Sequence, residues 1–255
     1  MTGEPDNKAL GRLVDGPLDV VGDVHGEIEA LRDLLGHLGY DEHGVHPDGR
    51  HLVFVGDLCD RGPDSPAVLD TVLGFVEAGR AQCVLGNHEI NALLNAPKHG
   101  NGWFFDRDHE RAAGEFLHSK AATPERRTAW LRWLNRTPLA LERADLRVVH
   151  ACWSNEAIEA VGLALEDVSY AEAHEAFHAL TKAALRRSGI DRQAAQELQQ
   201  YRHDLWRRDA RVPLLPAYAE EAKTQQNENP VKVLTSGVEW PADSPVWAGG
   251  RWRMT

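Results

Sequence analysis

Long apolar runs are missing from this chain of 255 residues, and nothing in it approaches the roughly 20 apolar residues that a membrane-crossing helix needs. The opening MTGEPDNKALGRL has no basic region followed by an apolar stretch. This predicts no secretory signal and a cytoplasmic location. Cysteine is scarce: Cys59, Cys83 and Cys152 are too few and too scattered for a disulfide framework or a CxxC site, which fits a reducing compartment. Basic charge is in deficit. With 28 Lys and Arg against 39 Asp and Glu, the formal net charge is −11, which argues against a long nucleic acid as partner. Cations bound at a site would make that site more positive than the chain as a whole. There is no internal repeat and no low-complexity tract. What remains is a soluble chain whose 42% hydrophobic content suffices for a sizeable core.

Three short blocks stand out: GDVHG at Gly22–Gly26, GDLCDRG at Gly56–Gly62 and GNHE at Gly86–Glu89. Each follows an apolar run that reads as a buried strand, namely LDVV, HLVFV and AQCVL. The blocks therefore put Asp, His and Asn at the C-terminal ends of strands, where open α/β sheets build ligand crevices. A fourth strand, DLRVVHA, ends in His150. Asp23, His25, Asp57, Asn87 and His150 offer hard oxygen and imidazole donors, a set that suits Mn, Fe or Zn better than a thiolate site does. Carboxylates crowded at strand ends are costly unless a cation neutralises them. Gly22, Gly56 and Gly86 precede the polar residues and let the backbone turn sharply.

Between the strands, Ile28, Leu31, Leu35 and Leu38 recur at helical spacing, and Ser65–Ala78 does the same with Pro66 near its start. Strand and helix in alternation imply a parallel sheet. The segment at about 91–140 reads as a helical cap over the crevice, passing through APKHGNG, FFDRDHE and TPERRTAWLRWLNRTP. Within it Trp130 and Trp133 read as core between cap and body. Trp103 either walls a substrate pocket or packs under a loop. A second helix-rich insertion runs over about 156–225. The proline-bearing, polar stretch from Arg211 to Pro230 reads as a surface loop, VKVLTS as a short strand, and VWAGGRWRM as a hairpin turning at Gly249-Gly250. His174 and His178, at i and i+4, read as a helix face, and Glu89 as a carboxylate at a helix N-terminus.

The three blocks, in this order, resemble those of the metallophosphoesterases, also called calcineurin-like phosphoesterases. The GDLCDRG and GNHE forms look most like the branch holding Ser/Thr protein phosphatases and bacterial diadenosine tetraphosphatases. The resemblance implies an α/β fold, a two-sheet sandwich flanked by helices and carrying helical cap insertions, in one domain. It implies two divalent metal ions, the first on Asp23, His25 and Asp57, the second on Asp57, Asn87, His150 and one later His. It implies hydrolysis of a phosphate ester by a metal-bridging hydroxide. His88 would be a proton donor oriented by Asp60, Arg61 would clamp phosphate, and Asn87 and His88 would also face substrate. The main expectation is a Ser/Thr-protein-phosphatase-like phosphomonoesterase acting on a phosphorylated protein. The alternative is a dinucleoside polyphosphate hydrolase acting on a small nucleotide.

One departure qualifies this. Relatives in the family end a late strand with a Gly-His pair, whereas after His150 this chain has only His174, His178 and His203, none preceded by Gly. The sequence alone thus implies truncation or loss at the C-terminal end and a weak second metal site, with His203 or a three-ligand site as alternatives. A weakened binding or regulatory protein on a phosphatase scaffold is the competing function class.

Overall fold

The computed structural model describes residues 7–98, 100–105 and 119–255. Part of the FFDRDHE segment within the expected cap lies outside the described residues. The chain divides into two compact units, one of Met1–Ala171 with Leu234–Ser236, the other of Glu172–Val233 with Gly237–Thr255.

The first unit is built on two three-stranded sheets. Strands β2 (Leu18–Val21), β3 (His51–Phe54) and β4 (Ala81–Cys83) run parallel, with Val21 opposite Phe54 and Phe54 opposite Cys83. Because they are parallel, their C-terminal ends share one edge. Helix α1 (Ile28–Leu38) links the first two and buries Ile28, Leu31 and Leu35, the spacing that the sequence predicts. Its left-handed stop is Gly39. Helix α2 (Ser65–Glu77) links the next two, with the Asp64 side chain accepting from the Ala67 amide at its start. The second sheet was only partly legible. Strand β1 (Leu10–Arg12) pairs in parallel with β5 (Ala140–Arg143), which pairs antiparallel with β6 (Leu146–Val149). Leu13, Val53, Val84, Leu141 and Val148 form a buried cluster contributed by both sheets, the core of the expected sandwich.

Around the sheets lie α3 (Asn87–Leu93), α4 (Gly102–Phe105), α5 (Pro124–Leu134) and α6 (Asn155–Ala164). Trp130 and Trp133 are buried on α5, as expected of core residues. Helix α7 (Tyr170–Ser188) follows. The second unit holds α8 (Ile190–Tyr201), α9 (Pro216–Asn227) and the expected hairpin, β7 (Val246–Ala248) with β8 (Arg251–Arg253). Two sequence readings are overturned here. The Arg211–Pro230 loop contains α9, and the VKVLTS strand is α10 (Pro230–Ser236). In both, a proline in the first turn starts the helix, and at α10 the Asn229 side chain caps the Val231 and Lys232 amides. The alternating Val231, Val233 and Thr235 mimic a strand, but the Asn-Pro start outweighs them. No described helix is long and apolar enough to cross a membrane.

The loops at the shared sheet edge are tied to each other. The amides of Val24 and His25 donate to the Asp57 carbonyl, Gly26 to Leu58, and Gly62 to His25. Glu89, fully buried, holds the third loop to the second: Oε2 accepts from the Asp57 and Gly86 amides at 2.8 and 3.0 Å, and Oε1 from Leu58 at 2.8 Å. Burial and the charge of Asp57 push its carboxyl upward, opposed by the same three amides. Without it those donors would be orphaned in the interior. At the start of β2, Asp19 accepts from Arg50 Nε at 2.6 Å and from the Tyr40 hydroxyl at 2.7 Å.

Two outcomes are expected. Glu89→Ala should cost about 3 kcal/mol or more, since each orphaned buried donor costs roughly 1–3 kcal/mol. Glu89→Gln should restore only part, because one amide oxygen cannot serve donors on both sides. An unchanged urea midpoint for Glu89→Ala would remove Glu89 from this role. The Arg50 hydrogen bond, followed by an opposing contribution from burial and a further lowering by Tyr40, holds the Asp19 carboxyl below its ordinary value. A depressed carboxylate contributes stability above its unfolded pKa, and the contribution fades as pH falls through the folded value. The stability difference between wild type and Asp19→Asn should therefore be full at neutral pH and shrink below about pH 4. Denaturant titrations across that range would expose a constant gap as contrary.

Candidate functional site

The residues singled out in the sequence meet at the C-terminal edge of the β2–β3–β4 sheet. Asp23 follows β2, Asp57 follows β3, Asn87 and His88 open α3 beyond β4, and His150 follows β6 of the other sheet. Backbone strain concentrates here. Among the described non-glycine residues, those with positive φ are His25 (45°), Asp57 (49°), Asp60 (72°), Arg61 (68°) and, away from the three blocks, Asn95 (50°). Such conformations are held only where surrounding hydrogen bonds over-determine them, and they gather at functional sites. Close approach also demands glycine. A Cβ on Gly86 would fall 2.2 Å from Asp57 Oδ1, and one on Gly62 would fall 2.2 Å from the His25 carbonyl.

Asp57 is the centre of the arrangement. It is 4% exposed. Its Oδ1 accepts from the His88 amide at 3.1 Å. Its Oδ2 faces three imidazoles through their Nε2 atoms: His150 at 3.5 Å, His25 at 3.8 Å and His88 at 3.9 Å. The tautomers of two of these follow from their other nitrogens. His150 Nδ1 lies 2.8 Å from the Val55 carbonyl and His25 Nδ1 lies 3.1 Å from the Cys59 carbonyl. A carbonyl only accepts, so both Nδ1 atoms carry the hydrogen, and in the neutral ring the Nε2 lone pair is then the atom turned towards the carboxylate. In that form acceptors face an acceptor in a buried place, an arrangement that favours a cation between them. Asp23, half exposed, places Oδ2 3.7 Å from His25 Nε2. Asn87 is partly buried at the first turn of α3.

Arg61 reaches into the same space. Its Nη1 donates to His25 Nε2 at 2.9 Å and its Nη2 to His88 Nε2 at 3.1 Å. A guanidinium can only donate, which agrees with the His25 tautomer. It is also a positive group resting against these lone pairs.

His88 is the most polarised residue. Its Nδ1 donates to Asp60 Oδ2 at 2.6 Å. Burial alone would lower its pKa. The hydrogen bond to Asp60 and the charges of Asp57, Asp60 and Glu89 overcome that and raise it. His25, Asp57 and His88 offer donor atoms within 4.8 Å of one another, so geometry permits His88 either as a ligand or as an acid.

The sequence left several partners hidden. Glu89, expected as a helix-start carboxylate, caps the Gly86 amide as such and in addition holds the Asp57 loop. Asp60 is positioned from three sides: its amide donates to Ser65 Oγ at 2.9 Å, Oδ2 takes the His88 hydrogen, and Oδ1 takes the Trp103 indole N–H at 2.7 Å. Trp103 is thus buried beside the site, and its spacing from GNHE carries no signal of that bond. Cys59 is buried with its thiol donating to Glu89 Oε1 at 3.4 Å. Burial first, then the neighbouring carboxylates, pushes this thiol well up, away from the reactive thiolate form. Of the later histidines weighed as a last ligand, His203 is exposed and lies in the second unit.

Two curated proteins are similar to parts of this chain. It is 47% identical over 73 residues to an asymmetrical bis(5'-nucleosyl)-tetraphosphatase of Anoxybacillus flavithermus, covering 28% of this chain and 30% of that protein. It is 35% identical over 138 residues to the corresponding protein of Oceanobacillus iheyensis, covering 52% and 54%. The chain therefore spans about half or less of the length of these curated relatives. A solved structure described as a diadenosine tetraphosphatase is 27% identical, covers 56% of this chain and 54% of its own, and gives a TM-score of 0.37, too distant to bear on the assignment. The sequence profile of the calcineurin-like phosphoesterases matches residues 16–206, most of the chain and all of the site, and the chain belongs to that family.

Proposed function

We propose that this chain is a metal-dependent hydrolase of phosphoric ester and anhydride bonds, with dinucleoside polyphosphates as its substrate class. The observation that carries the reading is the cluster around Asp57 Oδ2, where lone pairs of His25 and His150, fixed by their carbonyl partners, converge on a buried carboxylate. The family implies divalent cations, and the donors fit them: oxygen from Asp23, Asp57 and Asn87, nitrogen from His25 and His150. Asp57 would be the shared ligand. Bound there, such cations would polarise the phosphoryl group and lower the pKa of water, with Mn the first to test and Fe or Zn close behind.

The protein's own groups supply the rest. Arg61 presents a planar fork suited to phosphate oxygens, and in binding them it would leave His25 and His88. Asn87, beside His88 at the start of α3, would add an amide to the phosphate. His88, its Nδ1–H held by Asp60, would carry its transferable proton on Nε2 and give it to the departing oxygen. The compact His25–Asp57–His88 group favours a second reading of His88 as a ligand steadied by Asp60. For substrate, the relatives' names favour a dinucleoside polyphosphate over the phosphoprotein expected first.

Three outcomes test this. With Mn, the purified chain should release mononucleotides from diadenosine tetraphosphate, resolved by anion exchange, faster than phosphate from a phosphoserine peptide. The reverse order would restore the phosphoprotein reading, and binding without turnover would mark a weakened scaffold. Asp57→Asn should lose most bound metal by elemental analysis together with nearly all activity, and full metal content would remove Asp57 as shared ligand. His88→Asn should keep its metal and lose more rate on alkyl phosphates than on 4-nitrophenyl phosphate. Lost metal would make His88 a ligand instead.

A further inference from the structure

Trp103 comes from a part of the chain with no motif, yet its indole N–H ends on Asp60 Oδ1 at 2.7 Å, while Asp60 Oδ2 takes the His88 Nδ1 hydrogen at 2.6 Å. The three residues are all buried: Asp60 is 2% exposed, Trp103 7% and His88 9%. The two carboxylate oxygens are therefore taken by one donor each, from opposite directions. Asp60 sits at φ 72°, a left-handed conformation uncommon for a residue with a side chain. Its amide is fixed by Ser65, and among the described residues Trp103 and His88 fix its carboxylate.

The choice of donor has a chemical consequence. An indole N–H donates, never accepts, and carries no charge. It satisfies the second oxygen of a buried carboxylate without supplying a rival cation. Among the described residues, the imidazole is the ion-pair partner of the Asp60 carboxylate. A Lys or Arg in this place would compensate that charge directly. With no donor, Oδ1 would be a buried acceptor without a partner, and the carboxylate could turn away from His88 to find one.

Trp103 is itself held from the helical layer. Its ring packs edge-on against Phe104 at 5.4 Å and Trp130 at 6.0 Å between centroids. Its carbonyl accepts from the Ala122 amide at 3.0 Å, and the next carbonyl, Phe104, accepts from Arg127 Nη1 at 2.8 Å. Both Trp130 and Arg127 belong to α5. A continuous set of contacts runs from α5 through Trp103 and Asp60 to His88.

We infer that Trp103 is a positioning residue for the reaction, acting through Asp60 to hold the His88 imidazole where it can protonate the leaving oxygen. The inference rests on the proton-donor reading of His88. It makes the helices α4 and α5 a part of the catalytic apparatus, although none of their side chains need touch the substrate.

The test uses Trp103→Phe, which keeps an aromatic ring against Trp130 and removes the N–H, and Trp103→His, which returns a ring N–H. On an alkyl phosphate, Trp103→Phe should lower kcat about tenfold or more, below the roughly 100- to 10,000-fold that a positioned general acid supplies. On 4-nitrophenyl phosphate, whose leaving group departs without a proton, the loss should be several-fold smaller. KM and metal content should stay near wild type, and Trp103→His should recover part of the alkyl phosphate rate. Equal losses on both substrates, or no loss on either, would overturn the inference. His88→Asn serves as the reference. If it shows no leaving-group dependence, the proton-donor reading itself fails; if it does and Trp103→Phe does not, only the role of Trp103 fails. A second readout needs neither metal nor turnover. In the metal-free wild-type chain, labelled with 15N in tryptophan, the Trp103 indole proton should resonate downfield of the exposed tryptophans and exchange slowly. Asp60→Asn should shift it by several tenths of a ppm or more, and an unmoved resonance would show that the bond to Asp60 is not made.

Discussion

The site depends on one buried carboxylate that performs no chemistry. Glu89 gathers the amides of Asp57, Leu58 and Gly86 onto its two oxygens, so two loops from adjacent strands close on the same anchor. The anchor lets Asp57 adopt positive φ with its carboxylate turned inward. It also explains why Gly86 tolerates no side chain, since the Asp57 oxygen fills the space that a Cβ would need. A buried charge is unfavourable in isolation. Here three backbone donors oppose part of that cost, and the strained loops in turn rely on them.

Around that anchor the polar groups divide by what they can accept or donate. Carbonyls after β3 and at Cys59 fix the Nδ1 hydrogens of His150 and His25 and so direct lone pairs to one point. Asp60 fixes the Nδ1 hydrogen of His88 in the same manner, but with a full negative charge. A neutral carbonyl stands behind His25 and His150 and a carboxylate behind His88, and the hydrogen bond and charge of that carboxylate help raise the His88 pKa against burial. Arg61, touching both His25 and His88, bridges the two groups.

Much of this could be read from the chain alone. Ile28, Leu31 and Leu35 announce α1, and the helical spacing over Ser65–Ala78 with Pro66 near its start announces α2. The GD and GNHE blocks mark the crevice because a parallel sheet puts all its C-terminal strand ends on one edge. Short strands were harder. β1 has three residues and β5 four, too few for a period to emerge, and their pairing joins residues about 130 apart. The helices α9 and α10 were misread because polar or β-branched composition weighed more than the prolines that start them.

The sequence by itself determined the donor types, their order and the sheet edge at which they gather, since each lies within a few residues of a strand that its own apolar run specifies. Only the tertiary structure decided which oxygen of Asp57 faces the imidazoles, which nitrogen of each His is turned towards it, and that Trp103 stands behind Asp60. Those facts depend on hydrogen bonds between residues some 30 to 95 positions apart. Local spacing carries no record of such partners, because their meeting is set by how two sheets and a helical layer pack together and not by any period along the chain.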